Sequence, residues 1–72
     1  MKPLFTRREL QMIQYACWSN ADISHHLNLA PNTIQTYMDQ VQKKLGARNK
    51  REMIVIAVRD HIVSINNFII AK

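Results

Sequence analysis

Between residues 32 and 51 the chain sets four polar side chains, Asn32, Gln35, Thr36 and Asp39, ahead of five cations, Lys43, Lys44, Arg48, Lys50 and Arg51. Each group has a recognition chemistry. A glutamine amide can pair with N6 and N7 of adenine, an aspartate can accept from N4 of cytosine, and a threonine can meet a base edge or a thymine methyl. Lysine and arginine neutralise phosphates, and a threonine hydroxyl or the amides that open a helix donate to phosphate oxygens. The set therefore suits a nucleic-acid duplex. Asn32, Gln35, Thr36 and Asp39 are the candidate base readers, and Thr33, Lys43, Lys44, Arg48, Lys50 and Arg51 the candidate phosphate contacts. Asp39 is the awkward member, because a carboxylate repels a polyanion at every sequence. It fits as a base-specific acceptor that penalises the wrong sites. The plainer reading of the same residues is a solvated helix face followed by a cationic helix end that keeps the protein soluble.

Other chemistries find little support. His25 and His26 are adjacent, so on a helix they point about 100° apart and cannot share one metal locally. His61 is distant from both, and no Cys/His spacing for zinc occurs. Cys17 stands alone, which rules out an internal disulfide, fits a reducing compartment and reads as a small buried hydrophobe. Tyr15 and Trp18 could stack on bases, but at the end of a helix they more naturally close the core. No nucleophile–base arrangement, paired carboxylates or phosphate-cradling glycine loop is present, so neither an enzyme nor a cofactor is expected.

The elements that must position the polar set follow from punctuation. Seventy-two residues make one small domain, and only Gly46, Pro3 and Pro31 can break a helix by residue type. The class is all-α. Ten Lys and Arg against five Asp and Glu leave a net charge of +5, as suits a polyanion partner. Neither a signal-peptide run nor the roughly 20 apolar residues of a spanning helix is found, so a cytoplasmic protein without a membrane role is expected. After a lead over 1–5, "TRRE" at Thr6 is a capping box that opens a first helix with Leu10, Ile13, Ala16 and Cys17 inward, ending near Trp18. Ser19 or Asn20 caps a short second helix through Leu27, with Ile23 inward. Pro31 starts the third, where Ile34, Met38, Val41 and Leu45 form the buried stripe and Asn32, Thr36, Asp39 and Lys43 lie opposite, up to the stop at Gly46. Asn49 with Glu52 caps a fourth helix, whose stripe of Ile54, Val58, Ile62, Ile65 and Ile69 is expected to run unbroken to the C-terminus.

Three separated segments, "FTRREL", "NADISHHLNLAPNTIQTY" and "KKLGARNKRE", together resemble the LuxR/FixJ-type helix-turn-helix, over about Leu4 to Ala57. The resemblance implies a four-helix domain with a family core over 6–57, in which the second helix crosses the DNA backbone and the third enters the major groove. It also implies that the last helix forms a dimer contact. The chain departs from the family pattern in places. Ala30 stands where a capping serine is usual, Cys17 replaces a glycine, Tyr37 a histidine and Lys50 an arginine. Ala21, Gln35 and Asp39 occupy positions where lysine is common in that family.

The segment 58–72 extends beyond the family core and stays apolar. On so small a domain, Val58, Ile62, Ile65, Phe68 and Ile69 are expected to cover one another across a symmetric dimer of extended last helices, the alternative being a tail folded onto the first helix. Such a dimer sets two recognition helices about one DNA turn, roughly 34 Å, apart and implies an inverted-repeat site. The expectation is a standalone transcription regulator that binds duplex DNA as a homodimer, with no small-molecule ligand. The alternative is a protein that keeps the fold but pairs through its last helix with a larger LuxR-type regulator and inhibits it.

Overall fold

The computed structural model describes residues 4–70. Four helices follow in order, α1 (Arg7–Gln14), α2 (Asn20–Leu27), α3 (Pro31–Leu45) and α4 (Lys50–Arg59), and a single 3-10 turn spans Ile65–Asn67. The lead residues 1–3 and residues 71–72 lie outside the described residues. The third helix is central: α1, α2 and α4 all pack against it, and α1 also meets α4. Its stripe is largely as expected, with Ile34, Met38 and Val41 fully buried and Leu45 partly buried against the core. They meet Met12 and Ile13 of α1, Ile23 of α2 and Met53 and Ala57 of α4 in one cluster. Three methionines in so few core positions suit a small domain, since an unbranched thioether fills the irregular gaps left where four short elements meet.

Helix starts are set by side chains. Thr6 Oγ1 accepts from the Glu9 amide at 3.1 Å while Glu9 Oε1 accepts from the Thr6 amide at 2.9 Å, which completes the capping box. Ser19, rather than Asn20, caps α2, accepting from the Asp22 amide at 3.1 Å, and Asn49 caps α4 through the Glu52 amide at 2.9 Å. Ala30 gives α3 no side-chain cap, and Pro31 occupies the first turn. Helix ends are set by left-handed residues. Asn28, Gly46 and His61 have φ of 57°, 71° and 58°, and in each case the next residue's amide reaches back to the fifth residue before it.

Glu9 does more than cap. Its carboxylate also meets Lys44 Nζ at 2.7 Å, and the same ammonium donates to the Leu4 carbonyl at 3.0 Å and lies 5.4 Å from the Phe5 ring centroid. The start of α1 is thereby tied to the end of α3. Burial pushes the Glu9 carboxyl up, but the hydrogen bond and charge of Lys44 and the bonds from Thr6 outweigh it and hold the group below the usual carboxylate range.

Three sequence expectations are corrected. The first helix closes at Gln14, and tight turns from Ile13 to Trp18 then swing Cys17 out to solvent while Ala16 and Trp18 go inward. Cys17 is therefore no buried hydrophobe. On α4 the fully buried pair is Met53 and Ala57, one residue away from the expected stripe, with Ile54 and Val58 half-buried on its flank. The last helix is not extended. It ends at Arg59, His61 turns the chain in the left-handed conformation, Ser64 caps the 3-10 turn, and the Ile69 amide donates to the Gln14 carbonyl at 2.9 Å. Val63 and Phe68 thus enter the protein's own core. A continued helix would have left them in water, whereas one histidine in a left-handed conformation it tolerates fairly well lets the tail bury them.

Phe68→Ala should lower unfolding free energy by about 3 kcal/mol, independently of protein concentration, in denaturant titrations. A concentration-dependent loss would return Phe68 to an interface between copies. Glu9→Gln should cost about 1–2 kcal/mol at neutral pH through the cap and ion pair together. Because the folded Glu9 carboxyl lies below its unfolded value of about 4.3, its contribution is complete above that pH and disappears as the pH falls through the lower folded value. The variant's deficit should therefore vanish in acid.

Candidate nucleic-acid interface

With one side of α3 sunk in the core, the other stands in water. Asn32, Gln35, Thr36, Asp39 and Lys43 are all exposed, and Thr33 is half-buried at the first turn. The turn that sets α3 against α2 is held by Ser24, whose hydroxyl donates to the Leu29 carbonyl, while the Leu29 amide returns to the Ser24 carbonyl at 3.0 Å. Leu27 and Leu29 pack against the core on either side of Asn28. A helix, a left-handed turn and a second helix are thus rigidly joined.

The exposed face is internally bonded. Gln35 Nε2 donates to Asp39 Oδ1 at 2.8 Å, and Gln35 Oε1 accepts from Asn20 Nδ2 on α2 at 3.0 Å. Thr36 Oγ1 donates to the Asn32 carbonyl at 2.9 Å. The i,i+4 spacing of Gln35 and Asp39 signals their pairing in the sequence. Asn20 was legible only as a possible cap, because no spacing rule relates a residue on one helix to its partner on another.

The six candidate phosphate contacts do not form one set. Lys43 and Arg51 are exposed, and their side chains make no hydrogen bond or ion pair among the described residues. Lys44 is engaged by Glu9, and Lys50 donates to the Trp18 carbonyl at 2.7 Å from a half-buried position. Burial pushes the Lys50 ammonium below the ordinary lysine range, with nearby Cys17 opposing the shift. Arg48 is exposed but forked onto Glu52, with bonds at 2.9 and 3.1 Å, and that hydrogen bond and the Glu52 charge raise its guanidinium further. The Thr33 hydroxyl and the Asn32 amide add donors at the other end of the helix, where the Thr33 and Ile34 amides already bond the Ala30 carbonyl.

A family profile described as GerE, bacterial regulatory proteins of the luxR family, matches residues 3–57. The chain belongs to the LuxR family. Its four helices are a LuxR-type helix-turn-helix DNA-binding domain, the domain of transcription regulators and not of enzymes, with α2 and α3 as the helix-turn-helix pair. The chain is also 31% identical over 61 residues to YxjL of Bacillus subtilis, named an uncharacterized transcriptional regulatory protein. That match covers 82% of this chain and 28% of the relative, so the chain spans under a third of the curated protein's length. No solved structure matches significantly. No helix among the described residues is long and apolar enough to cross a membrane.

The remaining candidates have settled places. His26 lies against Tyr15 and Trp18, with ring centroids 5.4 and 5.1 Å apart, and Tyr15 meets Trp18 edge-on at 4.9 Å. Trp18 is 8% exposed, so it closes the core as its position suggested. Its Nε1 is buried without a hydrogen-bond partner among the described residues, and nothing among them explains that.

Lys43 and Lys44 are neighbours with different surroundings, and charge reversal should separate them. Lys43→Glu should weaken binding to duplexes of any sequence with thermal stability intact, and Lys43→Ala should reduce the salt slope of log Kd by about 1. Lys44→Glu should instead lower the melting temperature, because it puts a second carboxylate against buried Glu9. Equal effects of the two reversals on both readouts would contradict the division.

Proposed function

We propose that this chain reads a specific duplex sequence as a homodimer on an inverted-repeat site and so regulates transcription. The observation that carries the reading is the split of α3: Ile34, Met38 and Val41 are completely buried while Asn32, Gln35, Thr36 and Asp39 are presented together on the outside. Helix-turn-helix recognition needs such a helix, held against the core with short polar side chains outward. Sequence preference comes from that face, and general affinity from Lys43, Arg51, Thr33 and the first turn of α3. Arg48 adds charge without a free fork, while Lys44 and Lys50 serve mainly to hold the helices that carry the others. A regulator of this family reading chromosomal DNA works in the bacterial cytoplasm.

The dimer surface we propose is the outer side of α4 and the turn after it. Val55 is 58% exposed and Ile65 70% exposed, with Val58 and Ile62 half-buried beside them. Phe68 takes no part in it, being already covered by its own domain, and Ile69 is partly covered there as well. Self-association is the usual way to cover apolar side chains left on a small symmetric regulator.

Selection from a random duplex pool at two salt concentrations should yield an inverted repeat whose half-sites lie about one turn apart. The Val55→Asp protein should sediment as a monomer and favour half-sites. A folded protein with no salt-dependent affinity for any duplex would instead support pairing with a larger LuxR-type regulator.

A further inference from the structure

We infer that Asp39 serves as the positioning residue for Gln35, fixing which way round the Gln35 amide reads an A·T pair. This rests on the reading of α3 as a base-reading helix. Gln35 lies in the middle of a three-residue chain that runs from Asn20 on α2, through its own amide, to Asp39 one turn further along α3, with bonds of 3.0 and 2.8 Å.

The direction of that chain is set at the carboxylate end. An ionised aspartate only accepts, so the Gln35 group facing it must be the NH2, and the Gln35 oxygen is turned toward α2. There it meets the Asn20 NH2. Asn20 Oδ1 is buried without a hydrogen-bond partner among the described residues, so the Asn20 amide is oriented by Gln35 at the expense of its own oxygen. Turning Asn20 over would set two carbonyl oxygens against each other. The polarity imposed by Asp39 therefore propagates across both helices of the helix-turn-helix.

The consequence for recognition is a matter of counting. Gln35 uses one of two N–H groups on Asp39 and one of two lone pairs on Asn20, which leaves one donor and one acceptor. That pair is what adenine N7 and N6 require. A freely rotating glutamine can offer donor and acceptor in either order, whereas here the acceptor lies on the α2 side. Oδ1 of Asp39 is engaged by Gln35, and the carboxylate still repels phosphates. Asp39 thus sharpens the choice at one base pair while lowering affinity for all DNA.

The test compares wild type, Gln35→Ala, Asp39→Ala and the double variant in selection from a random duplex pool, with side-chain amide NMR signals recorded on the free proteins. All the altered residues are exposed or on the helix surface, so folding should be unchanged. Asp39→Ala should move the Gln35 NH2 signals, raise affinity for non-selected duplex, and relax preference at the same base pair as Gln35→Ala, by roughly tenfold. The double variant should relax it no further. Loss of preference at a different base pair on Asp39→Ala, or unmoved Gln35 signals, overturns this inference alone. A wild type that selects no sequence overturns it together with the proposed function.

Discussion

A chain of 72 residues has to bury one side of a 15-residue helix completely and leave the other side wet. Everything else in the structure answers to that constraint on α3. The other three helices are short and each touches α3 from a different direction, so Ile34, Met38 and Val41 vanish into a core whose largest members include three methionines. Because the apolar residues recur at helical spacing, sinking them leaves Asn32, Gln35, Thr36, Asp39 and Lys43 outward without a further interaction to hold them there. The exposed polar face is a by-product of packing.

Charge is divided according to the same constraint. A net positive chain invites the assumption that every lysine and arginine faces the polyanion. Lys44 instead locks the end of α3 to the capping box of α1, Lys50 satisfies a carbonyl in the turn after α1, and Arg48 is held by Glu52. The first two tie the end of α3 and the start of α4 to α1 and the turn that follows it. In the proposed reading phosphate affinity falls on a smaller set, and with fewer free cations and a carboxylate on the face, more of the discrimination comes from the side chains that meet base edges.

The sequence made the framework legible wherever local chemistry decides the outcome. The Thr6 and Asn49 caps, the Pro31 start and the Gly46 stop rest on interactions within four or five residues and stand as read, except that the Glu52 carboxylate takes the Arg48 amide and so does not complete a second capping box; the α3 stripe follows from its helical spacing. What could not be read depends on partners far along the chain. The α4 stripe slips by one position because the fourth helix is apolar on more than one side, and only contact with α1 and α3 selects Met53 and Ala57. The tail looked like uninterrupted helix because its stop is His61, a residue type that does not by itself mark a helix end, and the turn there lets Val63 and Phe68 reach the core. At the site, the residue types on the exposed face and the i,i+4 pair of Gln35 and Asp39 were evident, but the bond to a second helix was not. Asn20 joins Gln35 across the helix-turn-helix, and the ties of Lys44 and Lys50 span 35 and 32 residues.

The central claim is that the exposed side of α3, together with the start of α2, is the surface that meets DNA. Backbone amide chemical shifts of the labelled protein, followed while a short mixed-sequence duplex is added at low salt, test it most directly. The account predicts shifts concentrated at the N-terminal turn of α2, along α3 at Asn32, Gln35, Thr36 and Asp39, and at Lys43, with the Ser64–Phe68 turn and buried Met53 and Ala57 unmoved. Shifts confined to α4 and the tail, or none at any salt concentration, would contradict it.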